Sequence, residues 1–211
     1  MAKAKVIPIR GRAPQQGGGA YVLGVTLSEV KPPVWRRLRV AGDLTLRDLH
    51  HVLQIAMGWD DCHLHEFDID GKRYGLPYPP EERGRSPLDE QDYRIASLLR
   101  RGTRFGYLYD FGDAWRHEII VEDTVPGEPG APKAQCLDGA RACPPEDCHG
   151  ALGYGDLLAV LARPTKRSAE LREWVGPDFD PEKFELDVVN RELRGAGTAV
   201  WRRKRERFYA Q

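Results

Sequence analysis

Residues 43–59 read "DLTLRDLHHVLQIAMGW", and how they fold decides the architecture. Leu46, Leu49, Val52, Leu53 and Ala56 recur at the spacing of one helix face and predict a buried apolar stripe. Thr45 stands where a hydroxyl can cap the first turn, and Asp48, three residues on, approximates a capping box. Gly58 suits the left-handed residue that ends a helix. His50 and His51 are adjacent, so they point in different directions and at most one can face a shared site.

Strand patterns flank this helix. "YVLGVTLSEV" (21–30) alternates and is rich in β-branched residues; "KPP" makes a turn; "VWRRLRV" (34–40) returns as a second strand. Val34, Arg36, Leu38 and Val40 share a face of that strand, an imperfect pattern that predicts one exposed edge. "HLHEFDIDGKRYG" (63–75) reads as a hairpin turning at Asp70-Gly71. Residues 76–92 read as a polar, proline-rich, mobile loop, and "RIASLLRRG" as a short helix. "TRFGYLYDFGDAWRHEIIVEDTV" (103–125) gives two strands around an "FGD" turn.

Beyond a loop-like stretch come three helical patterns, "GYGDLLAVLARP", "RSAELREWVG" and "DPEKFELDVVNREL". The last has Asp180 as its expected N-cap and Pro181 as its first residue. The expected fold class is α+β: an N-terminal antiparallel or mixed sheet packed on one long helix, followed by a helical C-terminal part. Residues 1–19 are expected to be disordered. Residues 20–211 are expected to form one domain, sheet-rich over 20–125, with a cysteine loop at 126–150 and helices over 151–211.

The 211 residues are 41% hydrophobic and 30% charged, an ordinary globular composition that can bury a core. No apolar run approaches the ~18 residues of a membrane span. The start, "MAKAKVIPIRGRAPQQGGGA", has positive charge without the apolar centre of a secretory signal, so the expected setting is cytoplasmic, with no membrane partner. In that setting the four cysteines are expected as thiols or metal ligands rather than disulfides. A formal net charge of zero argues against a general nucleic-acid coat. The basic stretches "KPPVWRRLR" and "WRRKRERFYAQ" nevertheless make nucleic acid a candidate partner.

Two segments carry chemistry-bearing residues. On a strand, His63 and His65 would share one face and supply two nitrogens to a metal. If the two hairpins pair, Asp110, Asp113 and His117 of "YDFGDAWRHE" would converge on them, as ligands of a divalent metal or as acid–base groups. The bland reading is a polar network that satisfies itself, with the two aspartates fixing a turn. The second segment is "CLDGARACPPEDCHG" (136–150). Cys136, Cys143, Cys148 and His149 could complete a tetrahedral zinc site, though the familiar C-x2-C knuckle is absent. A Cys136–Cys143 disulfide, a nucleophilic Cys148 and a rigid loop with buried thiols are the alternatives, and Pro144 and Pro145 favour the last. The chain has no P-loop, no dinucleotide G-x-G-x-x-G, no G-x-S-x-G and no H-E-x-x-H.

Taken in order, "KPPVWRRLRV", "TLRDLHHVLQIAMGWDDCHLHEF", "YLYDFGDAWRHEIIVE", "CLDGARACPPEDCHGALGYGDLLAVL" and "WVGPDFDPEKFELDVVNREL" resemble the plasmid pRiA4b ORF-3-like family, also labelled IS1096 element passenger TnpR family proteins. The resemblance runs from about Tyr21 to Leu193 and departs at His149, where the family pattern usually has glycine. It implies a compact α+β domain associated with plasmids and mobile elements, and little chemistry. The label TnpR would imply a resolvase, but Ser28, in "TLSEVKPP", lacks the setting of a recombinase serine. The leading expectation is therefore a non-enzymatic binding or accessory module. The alternatives are a metal-dependent hydrolase or nuclease built on the His/Asp cluster, using zinc or another divalent metal, and a DNA-binding protein acting through the basic segments.

Overall fold

The structure, a computed structural model, describes residues 19–78 and 86–195. It is an α+β fold with an eight-stranded mixed sheet. The strands are β1 (Ala20–Leu27), β2 (Trp35–Ala41), β3 (His65–Ile69), β4 (Lys72–Gly75), β5 (Leu88–Asp89), β6 (Arg104–Tyr109), β7 (Trp115–Val125) and β8 (Ala134–Ala140). They lie in the order β5-β4-β3-β6-β7-β1-β2-β8. Every pairing is antiparallel except β4 with β5.

Helix α1 (Leu46–Met57) forms as its sequence dictates. The Thr45 hydroxyl accepts from the Asp48 amide and the Asp48 carboxylate accepts from the Thr45 amide, while Gly58 closes the helix at φ 90° with its N–H on Gln54 O. The expected apolar stripe is buried, and so are Arg47, His50 and Gln54 on another face. The helix is thus enclosed nearly all round. Val34, Leu38, Val40, Phe67, Tyr107, Ile119 and Val121 of the sheet belong to the same core. Helix α5 (Leu186–Gly195) packs on β8 and touches α1, so these two helices lie over one face of the sheet. Strand burial alternates accordingly, and the other face carries the ion pairs Arg37–Glu122 and Arg104–Glu118.

Four expectations need correction. Arg36 does not mark an exposed edge: it is 2% exposed. Its guanidinium donates to Ala56 O, Trp35 O, Ala140 O and Arg141 O and sits 4.1 Å over the Phe184 ring. A buried charge is tolerated when its donors are met in this way. Residues 126–150 are not all loop, because the Gly- and Asp-containing β8 completes the ladder of β2. Of the stretch 76–92, residues 79–85 lie outside the described residues. Its end is β5 and a 3₁₀ turn, Glu90–Asp92, with Glu90 1% exposed. Asp180 caps a turn, accepting from the Glu182 amide at 2.9 Å, and the helix starts only at Leu186. The intervening Phe184 is drawn instead to Arg36.

Helices α2 (Ile95–Leu98), α3 (Gly150–Leu161) and α4 (Lys166–Val175) occur where helical patterns were expected. The N-terminal segment, apart from Gly19, and the basic tail lie outside the described residues. Among the described residues no helix is long and apolar enough to cross a membrane.

Candidate metal centre

Strand β3 begins at His65, so His63 sits in the loop before it and the H-x-H pair is not held on one strand face. The two imidazoles enter different environments. His65, 7% exposed, meets Glu90 (Nε2 to Oε2, 2.8 Å) and stacks flat on His50, with ring centroids 3.4 Å apart and an interplanar angle of 3°. Glu90 takes its second bond from Arg47 Nε at 3.0 Å. His50 meets the Tyr107 hydroxyl through Nδ1 and Asp61 Oδ1 through Nε2, both at 2.7 Å. Gln54 donates to the same hydroxyl and accepts the Asp61 amide. His51 Nδ1 lies 3.3 Å from Asp61 Oδ2.

This network is buried and closed. Burial, followed by the charge of His65, lowers the His50 pKa to about 4. Burial raises the Asp61 and Glu90 carboxyls, but imidazole hydrogen bonds and neighbouring positive charge outweigh it. Asp61 is held well below the usual carboxylate range and Glu90 is lowered to about 2.

His63 faces a different group. Its Nε2 lies 3.4 Å from Asp147 Oδ1, 3.7 Å from Asp110 Oδ2 and 3.8 Å from Glu146 Oε2. Two of these carboxylates have one oxygen anchored and the other turned to the imidazole. Asp110 Oδ1 accepts the Gly112 amide at 2.8 Å, an Asx turn built by the "DFG" sequence. Glu146 Oε1 accepts the Tyr109 hydroxyl at 2.9 Å and the Asp60 amide at 3.1 Å. Glu146 Oε2 and His63 Nε2 are both buried and have no hydrogen-bond partner. The ligand atoms of His63, Asp110 and Asp147 gather within 4.8 Å of one another, as do those of Cys62, His63 and Glu146.

The loops that deliver these groups carry strain. Asp61, Asp110, Ala114, Asp147 and His149 all have φ between 55° and 70° without being glycine. The loops also interlock. Trp59 Nε1 donates to Pro144 O at 2.9 Å. Gly150, at φ 70°, lies so close to the "FGD" loop that a Cβ there would stand 2.6 Å from Asp113 O.

The other expected residues do not join His63. His117, 2% exposed, turns Nδ1 to Trp115 O and Tyr107 O (3.1 and 3.3 Å) and lies edge-on to Trp59. Its pKa falls to about 4, mainly through burial. Asp113 lies beside Cys148, with Oδ2 buried and unpartnered. All four cysteines are free thiols. Cys136 belongs to β8, where Asn190 brackets its backbone with two bonds, and Cys143 lies near Arg36. Cys136, Cys143, Cys148 and His149 form none of the groups of ligand atoms that gather within 4.8 Å among the described residues. Burial raises the thiols, Cys148 to about 12, which favours the thiol over the ligating thiolate.

Sequence reasoning therefore missed Glu146 and Asp147, and also Glu90, which it placed in a loop. A helix-spaced polar stripe, Arg47, His50 and Gln54, was the one legible sign of the buried network.

Similar proteins agree with the fold and leave the chemistry open. The "Uncharacterized protein y4hQ" of Sinorhizobium fredii is 40% identical over 189 residues, covering 88% of this chain and 95% of that protein. The crystal structure of the protein of unknown function MM3350 from Methanosarcina mazei Go1 is similar with a TM-score of 0.74 and 30% identity, covering 82% of this chain and 98% of that one. The family model described as "Plasmid pRiA4b ORF-3-like protein" matches residues 19–188, and with these two relatives it shows that the chain belongs to the plasmid pRiA4b ORF-3-like family.

Proposed function

We propose that the protein is a divalent-metal-dependent hydrolytic enzyme whose cation is held by His63, Asp110 and Asp147, with Glu146 on the other side of the His63 imidazole nitrogen. The observation that carries this reading is the set of donor atoms at 3.4–3.8 Å from His63 Nε2, with the buried Nε2 and Glu146 Oε2 left unpartnered. Donors bonded at about 2.0–2.2 Å to one tetrahedral ion stand about 3.3–3.6 Å apart. Direct hydrogen bonds would have drawn these atoms closer. Three carboxylates around one imidazole also leave excess negative charge, which a divalent cation offsets, and one nitrogen with several oxygens suits zinc or manganese.

A cation held there would supply Lewis acidity and lower the pKa of a bound water. The Gly112 amide orients Asp110, and such outer partners hold ligands in place, while Tyr109 and the Asp60 amide fix Glu146 beside His63. A second reading, a binding module without turnover, draws on the exposed side chains Leu64 and Phe111, which adjoin His63 and Asp110 in sequence.

The test is calorimetric titration of chelator-stripped protein with Zn²⁺ and Mn²⁺, alongside hydrolysis of a chromogenic phosphodiester. The wild type should take about one equivalent, and His63→Ala and Asp110→Ala should weaken binding at least about tenfold. Metal-dependent hydrolysis should vanish with them. Uptake below about 0.1 equivalent, or unchanged uptake by both variants, overturns the metal centre. Metal uptake without any turnover leaves the binding-module reading in its place.

A further inference from the structure

Helices α3 and α4 pack beside the His63 cluster, and Arg172 of α4 donates to Leu161 O of α3. They border a cleft of about 340 Å³, within the range of small-molecule sites. One face of α4 presents Arg167, Leu171 and Trp174 at helical spacing, opposite Asp156 and Leu157 of α3, and Asp147 lines the same cleft. Three features of this lining point to an occupant.

The first is the indole of Trp174, which remains 52% exposed although Leu157 and Leu171 line the cleft beside it. A half-exposed indole against an aliphatic wall forms a slot for a flat ring. The second is Arg167, which has no ion pair or hydrogen bond among the described residues. A guanidinium left free at the lip of a cleft suits a phosphate, which it can grip with two parallel bonds. The third is the position of Asp147, which lines the cleft and also belongs to the donor set around His63, with 76% of its side chain exposed. A ligand filling the cleft therefore brings one end to the metal centre.

We infer that the cleft between α3 and α4 is the substrate subsite of that centre, and that it takes a nucleotide-class compound: a planar base against Trp174, its phosphate between Arg167 and the cation. The inference rests on the metal-centre reading and deepens it. Two carboxylates line the wall: Asp147 belongs to the donor set around His63, and Asp156 suits the exocyclic amine of an adenine or cytosine ring rather than a phosphate. This fixes the ligand's direction, base toward the helices and phosphate toward Asp147.

The test uses the full chain, Mn²⁺ and AMP, with adenosine and inorganic phosphate as separate probes. Mn²⁺ binding is measured first. Mn²⁺-loaded protein should then bind AMP more tightly than either probe. Trp174→Ala and Arg167→Gln should each weaken AMP at least about tenfold and leave Mn²⁺ uptake unchanged, since both side chains are exposed. Arg167→Gln should spare adenosine and Trp174→Ala should not. AMP binding that both variants leave intact, or inorganic phosphate binding as tightly as AMP, overturns the subsite. So does failure of AMP to bind protein that has taken up Mn²⁺. If Mn²⁺ itself does not bind, the metal centre falls alone. Adenosine binding that Trp174→Ala weakens then still supports the slot, and its absence removes that too.

Discussion

His117 offers a test of the packing beneath the candidate site that does not depend on any ligand. Its ring is 2% exposed and lies against Tyr107 and Trp59, with Nδ1 on two backbone carbonyls and Nε2 unpartnered. Burial is the main reason its pKa falls from 6.5 to about 4; the positive charge of Arg36 lowers it further, while the two carbonyls oppose the fall. The sign follows directly. Above pH 6.5 the imidazole is neutral whether the chain is folded or unfolded, and stability is complete. Between pH 6.5 and about 4 the unfolded chain takes the proton and the folded chain does not, so stability is lost as pH falls. Integrated from pH 7.5 to 5, the loss is about 2 kcal/mol for His117. His50, lowered to a similar value, adds about as much. Stopping at pH 5 keeps the Glu90 carboxyl out of the window, because its stabilising contribution is lost only as pH falls from 4.5 toward about 2. Urea unfolding of the wild type at several pH values should therefore show about 4 kcal/mol lost over the window, and His117→Phe about 2. The comparison is one of slopes, so the variant's own stability at pH 7.5 does not enter. A variant that keeps the wild-type pH dependence to within about 0.5 kcal/mol would refute the buried, neutral His117.

Two further substitutions probe the frame that holds the site. Arg36→Met strips the donor from four backbone carbonyls on α1, β2, β8 and the residue after β8, and should lower stability by roughly 3–5 kcal/mol, read as a shift in denaturant midpoint; a loss under about 1 kcal/mol would show that those bonds contribute little. Gly150→Ala sets a methyl 2.6 Å from Asp113 O at a backbone φ of 70°, and should cost about 2 kcal/mol in a melting experiment while weakening Zn²⁺ uptake by parting the two loops; unchanged uptake would mean the loops do not depend on that contact.

Much of the fold was legible because its signals are local. The capping box at Thr45 and Asp48, the glycine stop at Gly58 and the Asp70-Gly71 turn each act within a few residues. The alternation in β1 and β7 likewise needs only the strand itself. The position of β8 was not legible, because "AQCLDGA" gains its strand form from the exposed ladder of β2 rather than from its own propensity. The site divides the same way. His63 and Asp110 stood out as residue types near turns. His65 was grouped with His63 on the assumption that both lie in the strand, and β3 starts two residues too late for that. Glu146 and Asp147 reach His63 through the Trp59–Pro144, Asp60–Glu146 and Tyr109–Glu146 bonds, which connect segments distant in sequence. Glu90 was hidden by its proline-rich surroundings.

The two polar centres are built from the same residue types and differ in whether their bonding capacity is spent. Around His50 and His65 the imidazoles and carboxylates find partners at 2.7–3.3 Å, and such closed networks fix geometry. Around His63 the distances lengthen to 3.4–3.8 Å and buried atoms go unmatched, which costs stability unless something outside the chain completes them. The centres are not independent, because Asp61 belongs to the closed one and lies two residues before His63. With its carboxylate held by His50 and His51 and its amide held by Gln54, Asp61 fixes the backbone at φ 57° just where the chain turns toward the open cluster. The closed network therefore positions the open one: His63 is presented to Asp110, Glu146 and Asp147 by a segment whose conformation the closed network sets.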